Sequence, residues 1–376
     1  MGWPERRRRS PDRRRRARPR PHLRPGRPLR RRGAPDPGNV PEPAPGVVRP
    51  SDHPGPRPPR RRVTDQGPVR FGAQLWSQAT DWPAFRDAGL AAEAGGWDSV
   101  WTWDHLLAIF GPWQQPILEG WMALAGLAPI TRRVRLGLMV GANTFRNPGH
   151  TAKLAATLDQ LSDGRAVMGI GGAWFEREHE AFGIDLGASV GARLDWLDES
   201  VGLIRRLLDG ELVSHEGRHY TFRDALCEPR PIQAHLPILV GGSGPTKTLR
   251  TIALRADGWN TNGTVEEVTT KLATLDRHCA EVGRDRSEIE LTVSFPVVLR
   301  DRRADAEAAW AGIIGHNGVA NAGNVPHLLG SPAEVADEIR PYVELGFRTI
   351  IVRLPAPHDR ETIDRIGEVA SRLEDA

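Results

Sequence analysis

Pro237-Ile238-Leu239-Val240-Gly241-Gly242-Ser243-Gly244-Pro245-Thr246-Lys247-Thr248 runs an apolar segment straight into four small residues and then into a helix opening. An apolar run this short, bounded by glycine, reads as a buried strand. Pro245 suits the first helical position, and Thr246–Ala256 behind it has a helical pattern. Gly258–Asn260 then resumes a strand. Strand, helix and strand in so few residues imply a right-handed crossover between parallel strands.

The same unit recurs in both directions along the chain. Val69–Leu75, Ser99–Trp103, Val134–Val140 and Arg165–Gly169 precede it as strand-like runs, and Glu290–Phe295 and Phe347–Leu354 follow. Helical stretches lie between or after them at Trp82–Ala94, Leu118–Pro129, His150–Leu161, Val265–Val282, Ala333–Leu345 and Arg360–Leu373. Ser331-Pro332 with Glu334 has the form of a helix N-cap, and Gly95-Gly96 and Gly346 stand where left-handed C-caps are wanted. Eight such units predict a (β/α)8 TIM barrel. Two stretches interrupt the repeat as insertions at βα loops: a long helix over Gly187–Gly210 with a hairpin at Glu211–Phe222, and a helix-rich Asp301–Leu329. The rival doubly wound sheet lacks its dinucleotide fingerprint, because Gly169-Ile170-Gly171-Gly172-Ala173-Trp174 has tryptophan in place of the third glycine.

Charge divides the 376-residue chain into two parts. Residues 1–65 hold 20 Arg, no Lys, six acids and 16 of the 32 prolines, a formal +14, which leaves −10 for the rest of a chain whose total is +4. The high overall basicity therefore does not describe a basic, nucleic-acid-binding globule. Few apolar groups separate the arginines, so burial cannot offset about 1–2 kcal/mol of backbone entropy per residue, and disorder is expected for 1–65. No apolar run of secretory type follows the arginines, and the prolines oppose the amphipathic helix of a transit peptide. A solvated tail, or a start codon placed too far upstream in a high-GC gene, accounts for the segment. A nucleic-acid-binding arm is the alternative, disfavoured because Trp3 is the only aromatic available to stack on bases.

Residues 66–376 are long enough for one barrel domain, and no stretch approaches the apolar length of a membrane span. Cys227 and Cys279 stand apart with no CxxC pair, as expected for unpaired thiols in a reducing cytoplasm. Arg177-Glu178-His179-Glu180 is not a zinc-binding HExxH, and no GxSxG occurs, so no metal and no serine nucleophile is expected.

Three groups of residues carry chemistry. Gly241, Gly242, Ser243 and Gly244 let bare amides approach an anion at a helix start, as a phosphate would require. The rival reading is a plain tight turn. Asp104 and His105 fall at the C-terminal end of the second strand, the active face of a barrel, where an imidazole moves protons near neutral pH and a neighbouring carboxylate biases its charge. Trp76, Trp101, Trp103, Trp113 and Trp174 fall at or just after strand ends. Such rings line a pocket for a flat ligand or pack in the core, and the expectation divides them about evenly.

With these residues placed, the chain resembles the luciferase-like flavin family, and within it the coenzyme F420 (deazaflavin)-dependent oxidoreductases typical of actinobacteria. The resemblance runs from Arg70 to Leu373 and rests on Ala94-Gly95-Gly96-Trp97-Asp98-Ser99-Val100-Trp101 with Asp104-His105, Arg135-Leu136-Gly137 through Asn143-Thr144-Phe145-Arg146-Asn147-Pro148, Ala155 to Arg165, Gly169 to Trp174, and Pro237 to Gly244 with Ala256-Asp257-Gly258-Trp259. It implies a cofactor across the C-terminal mouth, its phosphate at Gly241–Gly244, its ring backed near Met139 and Val140, and Gly141, Asn143, Gly171 and Gly172 also binding it. It also implies a non-proline cis peptide near Met139-Val140 and Asp104 and His105 beside the hydride-carrying carbon; of the strand-end tryptophans, Trp76, Trp113 and Trp174 are the ones expected in the substrate pocket. Relatives that oxidise sugar phosphates carry a glutamate where this chain has Trp174, which implies a flatter, less charged substrate here. The implied activity is hydride transfer between F420 and a small organic substrate by a cytoplasmic homodimer. The alternative is an FMN-dependent monooxygenase using O2 and fed by a reductase partner; a non-catalytic protein using the basic arm is the third reading.

Overall fold

The computed structural model describes residues 67–319 and 327–374. The disorder expected for 1–65 lies outside them. Eight parallel strands close into a ring: β1 (Arg70–Leu75), β2 (Ser99–Thr102), β3 (Arg135–Leu138), β5 (Ala166–Gly171), β8 (Ile238–Gly241), β9 (Gly258–Thr261), β10 (Glu290–Leu299) and β12 (Thr349–Leu354), with β9 pairing β10 and β12 pairing β1 to complete it. Two short strands extend the sheet at the rim: β4 (Gly141–Ala142) beside β5, and β11 (Leu328–Gly330) beside the end of β10. The expected barrel is present, and all eight strand-like runs are strands.

The helices around the ring are α1 (Trp82–Ala94), α2 (Gly120–Leu127), α3 (Pro148–Leu161), α6 (Thr248–Arg255), α7 (Val265–Glu281), α9 (Pro332–Glu344) and α10 (Arg360–Glu374). Ser331 and Glu334 form a reciprocal capping box at the start of α9, as the sequence pattern implied, and Thr264 with Glu267 does the same for α7. At the end of α1 the left-handed residue is Gly96, with φ +83°, while Gly95 stays at −76°. The first insertion holds α4 (Glu176–Phe182), α5 (Val190–Leu208) and an antiparallel hairpin of β6 (Val213–Glu216) and β7 (Thr221–Ala225). The second contributes α8 (Arg303–His316) and β11. Neither α4 nor β11 follows from the sequence pattern: α4 is seven mostly polar residues without an apolar stripe, and β11 is three residues long. Among the described residues no helix is long and apolar enough to cross a membrane.

Strand alternation sends every second residue inward. One apolar cluster inside the ring joins Trp101, Met139, Val167, Leu239 and Ile351, and the larger core lies between strands and helices. Trp101 fills the centre because its neighbours are bare: a Cβ at Gly72 would come 2.7 Å from the indole nitrogen, and one at Gly137 2.6 Å from the ring. Its N–H is spent on Ser99 at 2.8 Å. Trp101 is thus core packing and not a pocket wall, as expected of part of the tryptophan set.

Candidate active site

Parallel strands share one C-terminal rim, so His105 after β2 and the glycine turn after β8 open at the same end of the barrel. At that rim the peptide Met139–Val140 is cis and non-proline, at the position the resemblance implied. The Val140 side chain fills a slot between two neighbouring strands. A Cβ on Gly171 would lie 2.8 Å from one of its methyls, and a Cβ on Gly241 2.8 Å from the other. Glycine at both positions therefore makes room for a smooth apolar floor. Gly172 is held bare by Leu194 of α5, 2.9 Å from where its Cβ would be.

Beyond that floor the β8 turn takes Gly242 to φ +122°, a conformation that favours glycine. The Gly242 amide bonds Asn260 O at 3.2 Å, and Ser243 Oγ pairs with Thr261 Oγ1 at 2.9 Å. The amides of Ser243 and Gly244 meet no acceptor among the described residues, as an anion cradle requires. Lys247 is not free to assist: its ammonium is bound to Asp195 at 2.6 Å and to Gly191 O at 3.0 Å. A polar cavity of about 280 Å³ lies on the outer side of this turn, between α5, α6 and the hairpin. His105, Val140, Gly171 and Gly241 to Gly244 are absent from its lining, and its carboxylates and cations largely pair with one another.

His105 is mostly covered, with edge-on contacts to Trp103, Trp174 and Phe175 at centroid distances of 5.9, 5.8 and 6.1 Å. Its Nδ1 lies 2.9 Å from Glu178 Oε1, and Glu178 Oε2 accepts from the Leu106 amide at 2.9 Å. A carboxylate only accepts, so Nδ1 carries a proton and Nε2, which has no partner among the described residues, is left for a ligand. The carboxylate that orients His105 is therefore Glu178 of α4, and the expectation that Asp104 does so is corrected. Asp104 points the other way along the extended chain. Arg146 grips it at 2.6 and 2.9 Å, and the Ala142 amide donates to it at 2.9 Å. Arg146 also reaches Glu119 at 2.9 Å. Burial works against the Arg146 charge, but hydrogen bonding and attraction from Asp104 and Glu119 outweigh it and raise the guanidinium above its ordinary value. Asp104 thus fixes the β4 segment after the cis bond, next to Gly141.

The α4 segment is itself anchored. His179 Nδ1 donates to Phe175 O at 2.8 Å, which leaves Nε2 to accept from Thr144 Oγ1 at 2.7 Å. Trp76 stacks on Phe110 at 4.7 Å and lies 4.6 Å from Trp103, all beside the rim. Trp113 and Trp174 are 40% and 57% exposed, so they form the outer lip, and the Arg177 guanidinium sits over Trp113 at 4.3 Å. Among the described residues the amide nitrogen of buried Asn143 finds no partner, nor do the indole nitrogens of Trp76 and Trp103. Glycines that keep a floor bare, free amides at a turn and orphaned polar atoms around one mouth fit a flat ring with an anionic tail. Among the described residues no three His, Cys, Asp or Glu side chains are grouped to hold a metal ion.

The luciferase-like monooxygenase family matches residues 67–349 of the chain. The chain belongs to that family. An F420-dependent glucose-6-phosphate dehydrogenase from Microbacterium testaceum is 30% identical to the chain over 342 residues, covering 81% of this chain and 98% of that one. Solved luciferase-like folds agree. An F420-dependent secondary alcohol dehydrogenase holding an F420-acetone adduct superposes with a TM-score of 0.71 at 20% identity, over 82% of this chain and 99% of its own. A monooxygenase from Streptomyces bottropensis gives 0.69 at 23% identity, with the same two coverages.

Glu178, Arg146 and Glu119 were not singled out from sequence. The charged run Arg177 to Glu180 holds Glu178, but it lacks zinc-motif spacing and nothing in it points to His105.

Proposed function

We propose that this enzyme transfers a hydride between coenzyme F420 and a small organic substrate, with His105 moving the accompanying proton. The observation that carries the reading is His105 Nε2 left open on the same rim as the Val140 floor and the unpaired amides of Ser243 and Gly244; the F420-dependent relatives support the choice of cofactor. When bound, the deazaflavin supplies the redox chemistry. The chain does the rest. Ser243 and Gly244 hold the tail phosphate, Val140 backs the ring, and Trp76, Trp103 and Phe110 keep water from the mouth. Glu178 fixes the His105 tautomer, so a neutral imidazole takes a hydroxyl proton in oxidation, while a doubly protonated one returns it in reduction. Asp104 acts through the backbone, as a positioning residue. Exposed Trp174 at the lip favours a flat substrate of low charge over a sugar phosphate. The reading includes a cytoplasmic homodimer, which sedimentation of the purified chain tests.

Titration of the purified full chain with F420, FMN and FAD decides the cofactor. Tight F420 binding is expected. Tight FMN binding without F420 binding would instead make the chain a monooxygenase that depends on a flavin reductase.

A further inference from the structure

Two groups at the floor of the barrel mouth have chemistry that neither the fold nor the proton transfer uses. Arg353 on β12 and Gln74 on β1 are Cα partners in the parallel register, both at inward positions. Arg353 is a cation inside the strand ring. Its one hydrogen bond within the described residues goes to Ser294 Oγ at 2.8 Å, and no carboxylate there pairs with it. A guanidinium has five N–H donors, so most of its capacity is unspent. Desolvation lowers its pKa below the ordinary arginine value to about 10, with no neighbouring charge to offset it, yet it stays charged at neutral pH. Gln74 is the complement. Its amide nitrogen donates to Met139 O at 2.9 Å, which fixes the orientation because a carbonyl cannot donate, and its buried Oε1 has no partner among the described residues.

We propose that Arg353 and Gln74 read the imide edge of the bound ring cofactor, Arg353 donating to a ring carbonyl and Gln74 Oε1 accepting from the ring N–H. Flavin and deazaflavin both present carbonyls flanking an N–H on their pyrimidine ring, and a donor beside an acceptor matches that edge. The inference rests on the proposed function. A hydride carries two electrons and one proton, so a ring that accepts one gains a unit of negative charge, and the bond that breaks is a substrate C–H. A fixed guanidinium at the carbonyl side then favours the reduced ring over the oxidised one. Arg353 would therefore set the bound cofactor's potential as well as its affinity.

The test measures the affinity of the full chain for oxidised and for reduced F420, each in wild type, Arg353→Met, Arg353→Lys and Gln74→Leu. Arg353→Met should weaken reduced F420 about tenfold more than oxidised F420, making the bound two-electron potential about 30 mV more negative. Arg353→Lys, which keeps the charge, should restore most of that difference. Gln74→Leu should weaken both redox forms alike and leave the potential in place. If Arg353→Met does not fold, as judged by thermal melting, Arg353→Gln carries the same expectation. Equal weakening of both forms in the uncharged variant, or a loss confined to the KM of an anionic substrate, would overturn the proposal. Wild type that binds neither F420 nor FMN would remove the functional reading and this inference with it. Wild type that binds while Arg353→Met is unchanged would remove only the inference.

Discussion

Exchanging Glu178 for glutamine alters one oxygen and isolates the orientation of His105. In the native site the Leu106 amide donates to Oε2 and His105 Nδ1 faces Oε1, both at 2.9 Å. Leu106 is a fixed backbone donor, so the side-chain oxygen of the introduced glutamine must take its place there. The new NH2 group then points at Nδ1, which has to accept. The imidazole proton moves to Nε2, and the atom that should receive a substrate proton is already protonated. The opposite flip sets two donors against each other at Leu106, at about 1–3 kcal/mol for a buried unsatisfied donor, so the tautomer exchange is the cheaper response. Positioned acid–base catalysis contributes about 10²–10⁴-fold, and Glu178→Gln should lose most of it. His105→Ala sets the floor, with folding and F420 affinity near normal and turnover collapsed. Steady-state turnover with matched F420 titrations separates the chemical step from binding, and ¹⁵N NMR of labelled imidazole reads the tautomer. Turnover within a factor of about three of wild type, or a proton still on Nδ1 in the variant, would refute the reasoning.

Gly242→Val forces a side chain into φ +122° and toward the Thr248 methyl; about 1–3 kcal/mol of strain should move the turn and weaken F420 tenfold or more, and an unaltered Kd would place the phosphate elsewhere. Arg146→Met strips Asp104, whose side chain is 2% exposed, of its counter-ion. Losing one partner of such a pair costs about 3–5 kcal/mol, measurable by urea unfolding, and a cost below about 1 kcal/mol would show that water already screens the pair. Desolvation lowers His358 to about 4, against the weaker pull of its bond to Trp76 O. The unfolded chain takes up that proton below about 6.5 and the native one does not until about 4. Stability due to this group should therefore be full above 6.5 and fall by about 1.4 kcal/mol per pH unit through that window. His358→Gln should flatten that part of the slope, and an unchanged slope in urea titrations at pH 7 and 5 would refute it.

The barrel was legible because its signals are local. Each strand is a short run of consecutive apolar residues, and each cap or turn is written in a few neighbours, as in Ser331 to Glu334. The glycine turn and the Asp104-His105 pair were visible for the same reason. What joins them was not. Glu178 reaches His105 across 73 positions, Arg146 reaches Asp104 across 42, and Gln74 reaches Met139 across 65. Adjacent residues in extended chain face opposite ways, so Asp104 and His105 belong to different networks even though they read as one motif. Trp101 looked like a candidate wall and became core, because glycines on the flanking strands leave it the barrel's centre. A pattern in one strand does not report the width of its neighbours.

Strand order then explains why distant residues can form one site. β2, β3, β5 and β8 are consecutive around the ring, so His105, Val140, Gly171 and Gly241 stand on adjacent staves although 136 positions separate the first from the last. Three strand spacings of about 4.8 Å place the imidazole and the amide cradle about 14 Å apart along the rim. Antiparallel pairing would have sent alternate strand ends to the opposite mouth and broken the set. A ligand that touches both must therefore be long, anionic at one end and flat at the other, with Val140 behind the flat part. A small free substrate cannot span that arc. On the proposed reading the rim selects first for a ring-and-phosphate cofactor, which would leave the substrate the space beneath Trp174 and against His105.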